Sequence, residues 1–132
     1  MGLKVAGMAL LELDNNSSQY QIEAYEPGCV RINGVTYMHS VIVTPTQLID
    51  NWPPQCLTDL TDAALLTPIL ALKPAILLLG TGGSLQFPPL ALYGELINQG
   101  IGVEIMDTAA ACRTFSALSA ENRDVAAALI IV

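Results

Sequence analysis

The chain has 132 residues, of which 52% are hydrophobic and only 13% charged, and its net charge is −7. That length fits one domain, residues 1–132, and the composition excludes a disordered segment while leaving room for an apolar contact surface. Five Lys and Arg against twelve Asp and Glu cannot build the basic stripe that nucleic acid needs, and they disfavour an anionic membrane surface.

Taken in chain order, Leu3 to Leu13 reads as a first strand and Asp14 to Ser18 as a turn cluster. Tyr20 to Tyr25 alternates apolar and polar residues, as a half-buried strand does. Pro27-Gly28 makes a second turn. Asn33-Gly34 separates Cys29–Ile32 from Val35–Val43, and Asn-Gly between β-rich runs is the strongest short hairpin signal. Val35, Tyr37, Val41 and Val43 are expected on one face, with His39 among them. Thr46 to Asn51 reads as a short helical turn, broken by Trp52-Pro53-Pro54. Thr58-Asp59 or Thr61-Asp62 can cap a helix running to about Leu72, which Pro74 ends.

The stretch from Ala75 to Phe115 organises the rest. Apolar Ala75–Leu79 leads into Gly80-Thr81-Gly82-Gly83, and Pro88-Pro89 opens a helix whose Leu90, Tyr93, Leu96 and Ile97 recur at helical spacing. Gly100 stops that helix. A strand from Ile101 to Met106 follows, and Asp107-Thr108 opens a helix to about Ala120 with Ala111, Phe115 and Leu118 on one stripe. Strand, helix, strand, helix is the unit of a parallel sheet. Side by side, those strands bring the glycine turn and Asp107-Thr108 to one sheet edge. Val125 to Val132 is a last apolar strand. The expected fold is α/β: a three-layer body with a mixed central sheet and an added N-terminal antiparallel β ribbon.

No segment reads as a secretory signal, and Ala6 stands where a myristoylation motif needs Ser or Thr. Leu65 to Gly80 is interrupted by Pro68, Lys73 and Pro74, so it is too broken to span a bilayer, which takes about 20 apolar residues. Cys29, Cys56 and Cys112 form no CxxC pair, which points away from a zinc site or disulfide framework and toward a reducing compartment.

Few residues carry chemistry. The glycine turn lacks the Lys-Ser/Thr of a P-loop and the third glycine of a dinucleotide fingerprint, so its plain reading is a strand exit needing positive φ. Asp107 or Thr108 should cap the helix that follows. Cys112, one turn in, has Arg113 beside it, and a helix N-terminus and a cation both favour thiolate. Cys112 also lies at the margin of the apolar stripe, where a cysteine is packed and inert. His39 is the single histidine and reads as a core residue. Ser84 is in no G-x-S-x-G elbow. No catalytic residue, metal site or cofactor is expected. The candidate ligand site is Thr81, Gly82, Ser84, Asp107, Thr108, Cys112 and Arg113, at the carboxyl ends of the two parallel strands, where open α/β sheets place ligands. Tyr25, Tyr37, Trp52 and Tyr93 are either core or, if exposed, a contact surface.

These residues resemble the DUF498, or Mth938-like, family over nearly the whole chain. The resemblance rests on Ile32-Asn33-Gly34, the strand into Pro45 with Trp52, and Gly80-Thr81-Gly82. It continues through Gly100 to Thr108, Ala111-Cys112-Arg113-Thr114-Phe115 and Val125 to Ile130; the D-T-x-x-A-C-x-T-F run is its most specific part. The resemblance implies the same three-layer fold and no settled biochemical activity. It includes a mitochondrial complex I assembly factor that acts by binding other proteins, and no catalytic role travels to Asp107, Thr108 or Cys112. With no room for a mitochondrial presequence, a bacterial or cytosolic member, cytoplasmic in location, is the expectation. The leading expectation is a non-catalytic protein-binding or assembly factor with an apolar patch near Trp52 or Tyr25. The alternative is a small-molecule or anion-binding protein, or an enzyme, using the candidate site; thiol chemistry at Cys112 is a third.

Overall fold

The computed structural model describes residues 19–61 and 63–132. The expected strand at 3–13, the turn at 14–18 and the capping role of Asp62 lie outside them. Strands β1 (Ile22–Glu26), β2 (Cys29–Ile32) and β3 (Val35–Tyr37) form an antiparallel ribbon in the order β1-β2-β3. The remaining strands are β4 (Val41–Val43), β5 (Leu48–Ile49), β6 (Ile76–Gly80), β7 (Gly102–Met106) and β8 (Val125–Leu129). They make a second sheet in the order β5-β4-β8-β6-β7. There β6 runs parallel to both β7 and β8, while β4 runs antiparallel to β5 and β8. The sheet is mixed, as expected, and β8 lies inside it with all five residues buried.

Helices α1 (Thr67–Leu72), α2 (Leu90–Asn98) and α3 (Thr108–Ala120) complete the body. Alternation along the strands divides the core into two layers. Leu77, Leu79, Ala126 and Ala128 pack with Ile69 of α1 and with Leu92 and Leu96 of α2. Leu78, Ala127 and Leu129 pack on the opposite side with Phe115 of α3 and with Val30 and Ile32 of the ribbon. A period of two on a strand requires this split, because successive side chains point to opposite faces.

The Asn33-Gly34 hairpin forms as the sequence predicts, with φ of +51° and +81°, the left-handed pair a type I′ turn requires. It is tied back to β1. The Glu23 carboxylate accepts from the Gly34 amide (3.0 Å) and from Arg31 Nε (3.1 Å). The Asn33 side chain accepts from the Gln21 amide (2.9 Å) and donates to the Gln19 carbonyl (2.7 Å).

Four expectations are corrected. Val35–Val43 is not one strand: it leaves the ribbon after Tyr37 and enters the second sheet at Val41. Buried Ser40 pins that crossover, its hydroxyl donating to the Pro54 carbonyl (2.5 Å) and accepting from the Ile131 amide (3.0 Å). His39, at the crossover, is exposed rather than core, and Val35 is exposed too. Second, Thr46–Asn51 is not helical. The Thr44 hydroxyl accepts from the Thr46 and Gln47 amides, reversing the chain so that Leu48–Ile49 pairs with β4. Third, the helix expected up to Leu72 is two 3-10 turns, Leu57–Thr61 and Ala63–Leu66, before α1. Asp59 accepts from the Gln55 and Cys56 amides and so caps only the first of them, and Pro68 sits in the first turn of α1. Fourth, α2 buries Leu92 and Leu96, while Leu90 and Ile97 are exposed. One substitution tests the ribbon hairpin, and one in the loop after β6 is its control. Gly34→Ala, strained at φ +81°, should cost about 1 kcal/mol. Gly83→Ala, whose added Cβ meets nothing within 4 Å, should leave the urea midpoint nearly unchanged.

Candidate functional site

The two turns meet as the strand order requires. The Thr81 amide donates to the Met106 carbonyl (2.9 Å), and the Thr108 amide to the Gly82 carbonyl (2.9 Å). The Thr108 hydroxyl accepts from the Gly82 amide (2.8 Å) and donates to the Ile130 carbonyl (2.8 Å). Gly82 takes φ +100°, the strand exit expected of the glycine turn. Gly80 serves a different need: a Cβ there would lie 3.0 Å from Thr108 Cα and 3.2 Å from Ala111 Cβ. Asp107 caps α3, its carboxylate accepting from the Ala110 amide at 2.8 Å.

These contacts hold together the sheet end where the candidate ligand residues lie. Thr108 is fully buried and Thr81 nearly so. The Thr81 hydroxyl donates to the Ser84 carbonyl (2.7 Å) and accepts from the Gln86 amide (3.2 Å), folding the loop on itself. Five of the seven candidate residues, Thr81, Gly82, Ser84, Asp107 and Thr108, lie at the sheet's end: hydrogen bonds join Thr81 to Ser84 and Gly82 to Thr108, while Asp107 bonds the first turn of α3. The Thr108 hydroxyl, with its two backbone partners, ties the loop after β6 to the chain leaving β8.

Cys112 and Arg113 face elsewhere. They line a cavity of about 380 Å³ between α3 and β1, together with Tyr25 and Ser116. Cys112 is buried, and burial pushes its thiol up to about 12, against a smaller downward pull from Arg113. The desolvation of a thiolate at the helix stripe thus outweighs the neighbouring cation and the helix N-terminus. Arg113 is exposed and makes no ion pair among the described residues. The Tyr25 hydroxyl is buried with no hydrogen-bond partner. Burial raises its pKa, and the charges of Cys112, Asp107 and Cys29 add to the effect, so it stays a neutral donor.

Trp52, expected near an exposed patch, is core: it is 2% exposed and its Nε1 donates to the Leu65 carbonyl at 3.0 Å. Met38, Ile97 and Val132 are exposed singly, and three exposed apolar residues lie close together in sequence at the start of α2. Leu85, Phe87 and Leu90 are 53%, 67% and 73% exposed. Beside them a groove of about 550 Å³ is lined by Leu60, Leu66, Leu70, Pro89 and Leu92. The one available signal was the run Leu85 to Leu90, apolar yet carrying two prolines and no regular period.

Two measurements check this geometry. Thr108→Val strands the buried Gly82 amide and Ile130 carbonyl, so it should lower stability by about 1–3 kcal/mol in urea unfolding. Iodoacetamide should label native Cys112 at pH 7.5 roughly a thousandfold more slowly than a free thiol, read by peptide mass mapping. A thiol raised from 9.0 to about 12 on folding also makes stability fall as pH rises above 9, because the unfolded chain ionises first.

Among the described residues no helix is long and apolar enough to cross a membrane. The family described as "Protein of unknown function (DUF498/DUF598)" matches residues 22–130. A Francisella tularensis protein named "13 kDa major membrane protein" is 28% identical over 93% of this chain and 100% of its own length. A Danio rerio protein named NADH dehydrogenase (ubiquinone) 1 alpha subcomplex assembly factor 3 is 36% identical over 83% of this chain. The match spans 63% of that protein. The solution structure of a Bordetella pertussis protein, described as an Mth938-like domain, superposes with a TM-score of 0.75 at 29% identity, covering 90% of each chain. The same layered α/β architecture and a family match over most of the sequence lead to one conclusion: the chain belongs to the DUF498/DUF598 family.

Proposed function

We propose that the protein is a non-catalytic binding factor that acts in the assembly of a multi-subunit complex. The observation that carries this reading is the apolar surface at the start of α2, where Leu85, Phe87 and Leu90 stand exposed beside a groove floored by leucines. Isolated exposed leucines are ordinary, but three large apolar side chains within six residues, next to an apolar groove, are what a protein contact surface offers. The assembly-factor name of the Danio rerio relative supports the same reading.

A cytoplasmic location belongs to this proposal, supported by three free cysteines, one of them exposed. The membrane in the Francisella relative's name makes fractionation of native cells the direct check of that point.

Affinity capture of the wild-type protein from its native cells, with mass spectrometry of proteins and small molecules, tests the function. Recovered partners should fall at least tenfold with Phe87→Asp plus Leu90→Asp, at an unchanged melting temperature, since both residues are exposed. Equal recovery with both forms, or a small molecule as the sole co-purifying species, would refute the reading.

A further inference from the structure

We infer that the groove between the free edge of β1 and the outer face of α3 is a strand-addition site for an extended, acidic peptide segment of a partner protein. The inference rests on the protein-binding reading and goes beyond it by naming a second surface and its ligand chemistry. One wall is residues 22–25 of β1. The other is Ala109, Cys112, Arg113 and Ser116, the i, i+3, i+4, i+7 face of one helix. The space between them is about 380 Å³.

The strand wall selects a polypeptide. Among the described residues β1 pairs with β2 alone, and no other described strand lies on its second edge. Such an edge is a template for an added strand, and main-chain hydrogen bonds are what an extended peptide supplies. A small anion would satisfy Arg113 and leave the edge unpaired. The register shift between Ile22 and Ala24 is a bulge, which limits the regular edge to a few residues. A short segment fits that length.

The helix wall selects charge. Arg113 lines the groove, is exposed, and makes no ion pair among the described residues. Glu23 is the carboxylate on the opposite wall, but it is already held by Arg31 and the Gly34 amide. The free guanidinium therefore calls for an incoming carboxylate. Ala24, Ala109 and the Cys112 side chain add no bulk, so alternate side chains of the peptide have room. A second copy of this chain is a poorer occupant, because pairing would bring together two bodies each of charge −7.

Phage-displayed random octapeptides, selected on the wild-type protein alone and then measured on both wild type and Arg113→Glu, test the inference. The selected peptides should carry Asp or Glu at one fixed position and lack proline at the centre. Titrated into ¹⁵N-labelled protein, they should shift amides in residues 22–26 and 109–116. Arg113→Glu should weaken them about ten- to a hundredfold with the melting temperature unchanged, and Arg113→Lys should restore part of the affinity. Failure to select any peptide would overturn the inference, as would peptides that bind both forms equally. Peptides that shift residues 60–70 and 89–95 would remove this site while leaving the protein-binding reading intact. Shifts in β1 that appear with protein concentration alone, together with a dimer mass, would assign the edge to a second copy and overturn the peptide.

Discussion

One hydroxyl holds the carboxyl end of the sheet together. Thr108 Oγ1 accepts from the Gly82 amide and donates to the Ile130 carbonyl, so the chain leaving β6, the chain leaving β8 and the start of α3 share a single buried atom. Three backbone bonds run around it: Thr81 to Met106, Thr108 to Gly82, and Ile130 to Gly80. Strand ends are where a sheet runs out of ladder partners, and buried main-chain groups left unpaired are costly. A buried side chain that both donates and accepts meets that cost with little volume. Serine or threonine supplies both roles here, and the close approach demands glycine at position 80.

That tie sets how the loops at this end of the sheet are arranged. In open α/β sheets the carboxyl ends are the usual place for ligands because the loops there diverge around a crevice. Here the loop after β6 folds on its own threonine, and the start of α3 is drawn against it. Thr81, Gly82 and Thr108 bond other parts of the chain. Open space lies on the flanks of the two layers and beside Ser40, Ile131 and Val132, just past the end of β8. The groove beside α2 lies on the side of the sheet covered by α1 and α2, and the groove beside β1 lies on the side covered by α3 and the ribbon.

The sequence made the body legible because its signals were local and mutually consistent. Asn33-Gly34, Gly82 and Gly100 each adopt the positive φ that their turn chemistry asks for, and Asp107 caps α3 as its position before the helix suggests. The Gly100 stop is a full Schellman arrangement, with Gly100 donating to Ile97 and Ile101 to Leu96. What stayed hidden was long-range. Nothing near Val35–Val43 says that the strand must change sheets, because the reason is Ser40 bonding to Pro54 and Ile131. The buried side of α2 depends on how the helix is rotated over β6 and β8, and its hydrophobic pattern alone fits more than one rotation. The candidate site divided for the same reason. Asp107 and Thr108 lie at the cap, whereas Cys112 and Arg113 sit a turn further on, facing β1, which is distant in sequence.

The distribution of positive charge gives the β1–α3 groove its meaning. Arg31 is engaged by Glu23 within the ribbon, and Arg123 approaches Glu121 at 3.9 Å in the loop after α3. Lys73 closes α1 in the left-handed conformation, where its backbone amide bonds the Ile69 carbonyl. Among the described residues the Arg113 guanidinium, like the Lys73 ammonium, is in no ion pair, although the chain carries more than twice as many acidic as basic residues. In so acidic a protein, a guanidinium without a carboxylate is a departure from the surrounding pattern, and it stands beside an unpaired strand edge and an unpartnered Tyr25 hydroxyl. Each of these alone is an ordinary surface defect. Together they present a cation, a main-chain ladder and a neutral donor to one groove, the set of groups that an acidic extended chain would complete.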